Sequence, residues 1–149
     1  ADSIRAAVSA AAERVQEIAR ARSVQFHEAS VAVAELHADG QLDESVLQQL
    51  VEENNFDGIA AALSLMCDLP LGPVERALAQ GYYEQILLFA KATELSWNIT
   101  LELIRFQASG KQLSQGEMDQ YFASYTRMQV KTAKAALQFY RLRASASGT

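Results

Sequence analysis

The run Ala60–Phe106 reads AAALSLMCDLPLGPVERALAQGYYEQILLFAKATELSWNITLELIRF. Two points in it share a local pattern, Leu69-Pro70 and Leu95-Ser96, in which a leucine stands just before a residue that can open a helix. Serine or aspartate at such a point accepts a hydrogen bond from a free N–H of the first turn. The preceding leucine packs on the fourth helical residue. Each pattern follows one stretch of helical spacing and precedes another. Ala61–Leu78 can be laid over Leu87–Ile104, which places Leu63 on Phe89, Leu69 on Leu95 and Leu78 on Ile104. The same pattern recurs upstream at Leu42-Asp43 and downstream at Leu113-Ser114, where Glu117 adds a capping box. The residues four beyond these openings are Leu47, Val74, Thr100 and Met118, three of them apolar. The first three openings lie 27 and then 26 residues apart. A period of this length points to stacked helical hairpins, here with degenerate self-similarity. At the second opening the spacing favours Gly72 as cap with Pro73 as the first helical residue.

Working outward, residues 2–37 contain neither proline nor glycine. Ile4, Val8, Ala11, Val15 and Ile18 recur at four, three, four and three, one apolar stripe with heptad spacing over two heptads. Arg22 and Gln25 interrupt it, and Phe26, Ala29, Val33 and Leu36 resume an apolar face. This predicts one long helix or two meeting near Ser23. Further helices are predicted near 43–53, 56–67, 73–80, 83–94, 97–109, 115–126 and 128–143, with Asp39-Gly40, Asn54-Asn55, Gly81 and Ser109-Gly110 as turns. The organisation expected is an N-terminal helical segment, 1–25, suited to association or to connection with upstream sequence. A helical domain follows over 26–143, and then a polar tail, 144–149. Ten of the twelve aromatic residues lie between Tyr82 and Tyr140, so the heavier part of the core is expected there.

Composition supports the same class. Half of the 149 residues are apolar and 21% are charged, a globular mixture, and only two prolines interrupt it. The net charge of −5 disfavours nucleic acid and anionic membranes as partners. The single cysteine, Cys67, forms no internal disulfide, which suits a reducing cytoplasm. No apolar run approaches 18 residues, so no membrane span is expected, and no apolar leader core is visible. The chain starts at Ala1 rather than Met, as a piece of a longer protein would.

The opening run, continued by LSQGEMDQYFASYTRMQVKTAKAALQFYRLR at Leu113–Arg143, resembles a bacterial family, domain-of-unknown-function family 2336. The likeness rests on the LP-x-x-x-V-E-R-A-L pattern at Leu69–Leu78, the LSW at Leu95–Trp97 and the aromatic-basic ending Phe139–Arg143. It covers roughly Phe26–Arg143. The resemblance implies a HEAT-like helical architecture, an alphaproteobacterial source and a longer parent protein. It brings no activity and no catalytic residues. Gly72-Pro73 departs from the family pattern and affects only where that helix begins. Together with the hairpin period, this gives an all-α fold of antiparallel helical hairpins, either HEAT-like or an irregular bundle.

Chemistry-bearing residues do not assemble into a reactive motif. His27-Glu28 starts like a zinc-protease signature, but Val31 stands where the second histidine belongs. His37 lies about 80° from His27 around a helix, so one metal would not meet both. Cys67 falls at a helix C-terminus beside Asp68, an environment that suppresses the thiolate. The serines read as caps, no G-x-S-x-G occurs and no glycine-rich phosphate loop is present. Glu52-Glu53 and Asp43-Glu44 read as solvated surface, the second pair also suiting a helix N-terminus. Catalytic residues, cofactors and metals are therefore expected to be absent.

Three surfaces remain. The stripe Ile4, Val8, Ala11, Val15 and Ile18 is the leading contact for a protein partner, with a homodimer through this helix as one form. Tyr82, Trp97 and Phe106 are the candidate lining of a small-ligand pocket, which would make the protein a regulatory sensor. The last helix carries Arg127, Lys131, Lys134, Arg141 and Arg143 with no acidic residue beyond Asp119, while the preceding chain has a net charge of −10. Such a stripe either complements the molecule's own acidic surface or docks an acidic partner, phosphate or nucleic acid. The function expected is a non-enzymatic helical interaction module.

Overall fold

The structure, a computed structural model, describes residues 2–81, 83–107 and 112–146; the side chains of 2, 3, 13, 15–23, 25, 107 and 144–146 are not described. Helices follow one another as α1 (Asp2–Ala38), α2 (Glu44–Glu52), α3 (Phe56–Cys67), α4 (Leu71–Gln80), α5 (Tyr83–Ala92), α6 (Trp97–Gln107), α7 (Gln115–Arg127) and α8 (Val130–Ala146). No strand occurs among the described residues. α1 is continuous through Ser23 and through the expected boundary at 25/26. α8 runs to Ala146, so 144–146 are helical, and 147–149 lie outside the described residues.

The openings form as their residue types require. Asp43 accepts from the N–H groups of Ser45 and Val46, capping α2. Asn55 caps α3 through the Gly58 N–H at 2.9 Å. Ser114 and Glu117 make the reciprocal capping box of α7. One boundary differs. α4 starts at Leu71 with Pro70 as its cap residue, which places Pro73 third in the helix rather than first. The first-turn N–H groups have no intrahelical acceptor, so a proline there forfeits no backbone bond.

Helix ends supply a second regularity. The backbone turns left-handed at Gly40, Asn54, Asp68, Gly81 and Glu94, at intervals of thirteen or fourteen residues. At Gly40, Asn54, Asp68 and Glu94 the following N–H reaches back five residues, as in Leu69 N–H to Ser64 O at 3.0 Å and Leu95 N–H to Ala90 O at 2.9 Å. That is the Schellman termination, and the residue after the left-handed position packs on the helix it ends. Leu69 and Leu95 therefore close one helix and staple the next. Two such intervals make 28 and then 26 residues, and the openings lie 27 and 26 apart because Leu42 stands two residues after Gly40 whereas Leu69 and Leu95 directly follow Asp68 and Glu94.

The short turns fold α2 on α3, α3 on α4, α4 on α5, α5 on α6 and α6 on α7. Helices also meet the one after next, α1 on α3, α3 on α5, α4 on α6 and α5 on α7. Longer-range contacts of α2 with α6 and of α5 with α8 gather these layers into a bundle. The core runs through Leu47, Ile59, Leu63, Val74, Ile86, Leu87, Phe89, Leu103 and Ile104. Three of the four staple positions lie inside it: Leu47, Val74 and Thr100 are fully buried. The Thr100 hydroxyl donates to Ser96 O at 2.7 Å, so its burial leaves no donor unmet.

Gly58 sits where α3 packs tightly against the Leu50 side chain of α2. A Cβ there would stand 2.7 Å from Leu50 Cδ2 and 2.9 Å from Asn55 Cγ, so an added methyl displaces the α3 cap as well as a core side chain. Gly58→Ala is expected to cost about 1–3 kcal/mol, the range of core overpacking. Urea unfolding followed by circular dichroism measures it, and a stabilised variant would show that the contact relaxes freely.

Candidate interaction surfaces

The apolar stripe of α1 splits in two along the helix. Its second half, Phe26 to Leu36, faces α3, with Val33 buried and Phe26, Ala29 and Leu36 half-buried. The first half is open: every residue from 4 to 12 is exposed, Ile4 at 68% and Val8 at 64%, and Ala11 with them. Val15 and Ile18 lie on the same helix, but their side chains are outside those described.

Where the second half of α1 meets the α2–α3 turn, a trough of about 990 Å³ opens. Phe26 and Phe56 form its apolar walls, and Glu28, Glu53, Asp57 and Glu75 line it. A second hollow of about 530 Å³ shares Phe56 and Glu75 and continues along α4 toward Arg76. Among the described residues none of these four carboxylates has an ion-pair partner. None was marked by its sequence neighbours as part of a site: Glu53 read as solvated surface and Glu28 as half of a broken metal motif. Only the tertiary approach of α1, the α2–α3 turn, α3 and α4 assembles them.

The basic residues of α7 and α8 have separate roles. Arg141 turns inward and clamps the C-terminus of α3: Nη2 donates to Cys67 O at 2.6 Å and Nε to Asp68 O at 2.7 Å. Cations suit this position, where the carbonyls of a helix end lack partners. Lys134 stands 3.8 Å from Glu94, an exposed pair, while Arg127 and Lys131 are exposed. The outward side of α8 carries two large apolar groups between these cations, Phe139 and Leu142, each 64% exposed.

Of the aromatic candidates, Trp97 and Phe106 pack against different partners. Trp97 packs edge-on against Phe122 at 5.2 Å and against Tyr125 at 5.6 Å. Phe106, nine residues along α6, stacks on Phe56 at 6.4 Å. Tyr82 lies outside the described residues. Neither Trp97 nor Phe106 lines the trough or its continuation. Tyr125 donates to Leu95 O, and burial pushes its phenol pKa up. Burial likewise raises that of Tyr121, which stacks on Tyr83 at 4.4 Å.

Cys67 is buried against α5, its thiol 3.9 Å from Phe89 O, and burial pushes its pKa up to about 12 against a weaker opposing pull from Arg141. The Ser45 hydroxyl, and after it the Val46 N–H, hold the Asp43 carboxyl below the usual carboxylate range. Glu44 reaches across to accept from Ser96 N–H at the start of α6, which ties α2 to α6. His27 and His37 are exposed. Among the described residues no three His, Cys, Asp or Glu side chains are placed to share a metal ion, and no helix is long and apolar enough to cross a membrane.

These features define an all-helical protein whose notable surfaces are an open helix seam, an acidic trough and a basic-apolar outer helix. Its chain matches, over residues 1–138, the family described as "Uncharacterised protein conserved in bacteria (DUF2336)", and it belongs to that family. No curated protein and no solved structure matches it.

Proposed function

We propose that this protein is a non-enzymatic interaction module, a regulatory or scaffolding part of a larger bacterial protein, which recruits an apolar helix onto the first half of α1. The observation that carries this reading is the exposure of Ile4 and Val8 on one face of a 37-residue helix whose packing on α3 involves its second half. Exposed aliphatic side chains at heptad spacing gain roughly 25 cal/mol for each Å² they bury. The seam is its own complement in spacing, so a helix of a second copy is the first occupant to test. The buried free thiol of Cys67 suits work in a reducing cytoplasm.

Ile4→Asp/Val8→Asp places two charges in the seam without touching the bundle. Light scattering at moderate salt, where apolar pairing persists, is expected to give a mass above 16.3 kDa for the native chain and that mass for the variant. A monomeric native chain at high protein concentration would remove self-pairing through α1.

A further inference from the structure

We infer that the acidic trough beside α1 receives the outer face of α8 from a second copy of this chain, joining copies head to tail through a contact separate from the α1 seam. The two surfaces are opposite in charge, and each carries apolar groups. The trough presents Phe26 and Phe56 between Glu28, Glu53, Asp57 and Glu75. The face of α8 presents Lys131, Ala135, Phe139 and Leu142 at intervals of four, four and three, one stripe on the helix, all exposed. A protruding aromatic that shares its stripe with an exposed lysine thus has, on the same molecule, an aromatic-walled hollow flanked by carboxylates.

A molecule cannot fill its own trough. The trough lies at Phe56, the first residue of α3, whereas Arg141, between Phe139 and Leu142, is bound at Cys67 and Asp68, the far end of that helix. Eleven residues at 1.5 Å each hold the two about 17 Å apart. The Arg141 clamp fixes α8 in this place, so its outer stripe faces outward. Opposite ends bearing complementary surfaces make a heterologous contact, which repeats in an open row or closes into a ring. The charge on the two surfaces orients the approach, and salt weakens it.

The test is made on the full chain carrying Ile4→Asp/Val8→Asp, so that α1 pairing is silent and the two readings fail separately. In that background the mass from light scattering at low salt is expected to be at least twice the monomer and to fall to the monomer as salt is added. Glu28→Lys/Glu53→Lys cancels the charge of the trough, where Asp57 and Glu75 remain, and Lys131→Glu/Phe139→Glu makes the outer face acidic; all four substituted side chains are exposed. Each double variant alone is expected to be monomeric, because the first removes the attraction and the second sets two acidic surfaces against each other. Mixing the two restores one native pair, the trough of the second variant with the outer face of the first, and the mass rises again. A background protein that stays monomeric at low salt overturns the inference and leaves the trough to a basic segment of another protein. Association that persists in both double variants, or fails to return on mixing, overturns it equally.

Discussion

Cys67 in the native protein is expected to react with a disulfide reagent at pH 8 at least about a thousandfold more slowly than a free peptide thiol. The nucleophile is the thiolate. Burial raises its pKa from 9.0 to about 12, and three pKa units remove about three decades of thiolate. Lack of access to a side chain with 1% of its surface exposed slows the reaction further. In urea the full rate should return, so labelling reports unfolding. The same shift has a stability consequence of definite sign. The folded state holds the proton more tightly than the unfolded one. The contribution is therefore complete below pH 9 and is lost as pH rises from there toward about 12. Measuring the rate with and without urea decides the matter. Stoichiometric native labelling at the unfolded rate would place Cys67 at an accessible, activated position and reopen a chemical role for it.

Much of the fold was legible because its punctuation is local. Asp43 and Ser114 announce helix starts by what their own side chains can accept, Asn55 read only as a turn although it caps α3 in the same way, and the leucines ahead of three openings point to the residues that the core then buries. The left-handed terminations were legible only in part. Gly40 and Gly81 are the residues that such a conformation favours, and Asn54 and Asp68 tolerate it. Glu94 gives no such signal, and its φ of 58° is set by the demand that α5 end where Leu95 can enter the core. Surfaces were harder to read, since they depend on residues far apart in the chain. Arg141 looked like one cation in a stripe. Its partners are carbonyls 73 and 74 residues upstream, and nothing in its own neighbourhood names them. Glu44 was read at the start of its own helix, yet it also serves the start of α6, 52 residues on. The acidic trough needs residues from α1, α3 and α4 at once, which no single stretch of the sequence displays.

Phe89→Ala is expected to cost about 3–5 kcal/mol, the range for emptying an aromatic site in a core. That is a large part of the roughly 5–15 kcal/mol by which domains are stable. Phe89 is 1% exposed, at the middle of a helix that touches α3, α4, α6, α7 and α8, and its ring meets Tyr140 of α8 edge-on at 6.3 Å. Few neighbours can move into the space, because each is held by a helix of its own. The loss corresponds to a fall in Tm of roughly 6–20 °C for a chain of this length. Phe139→Ala removes the same atoms from a residue 64% exposed and should stay within about 0.5 kcal/mol of the native chain. Urea titration of both variants by circular dichroism separates them. Equal costs would show that Phe139 is held by packing within its own chain. A large exposed aromatic that contributes nothing to its own fold is free to be recognised, and the contrast between these two phenylalanines is what makes the outer face of α8 available to a second molecule.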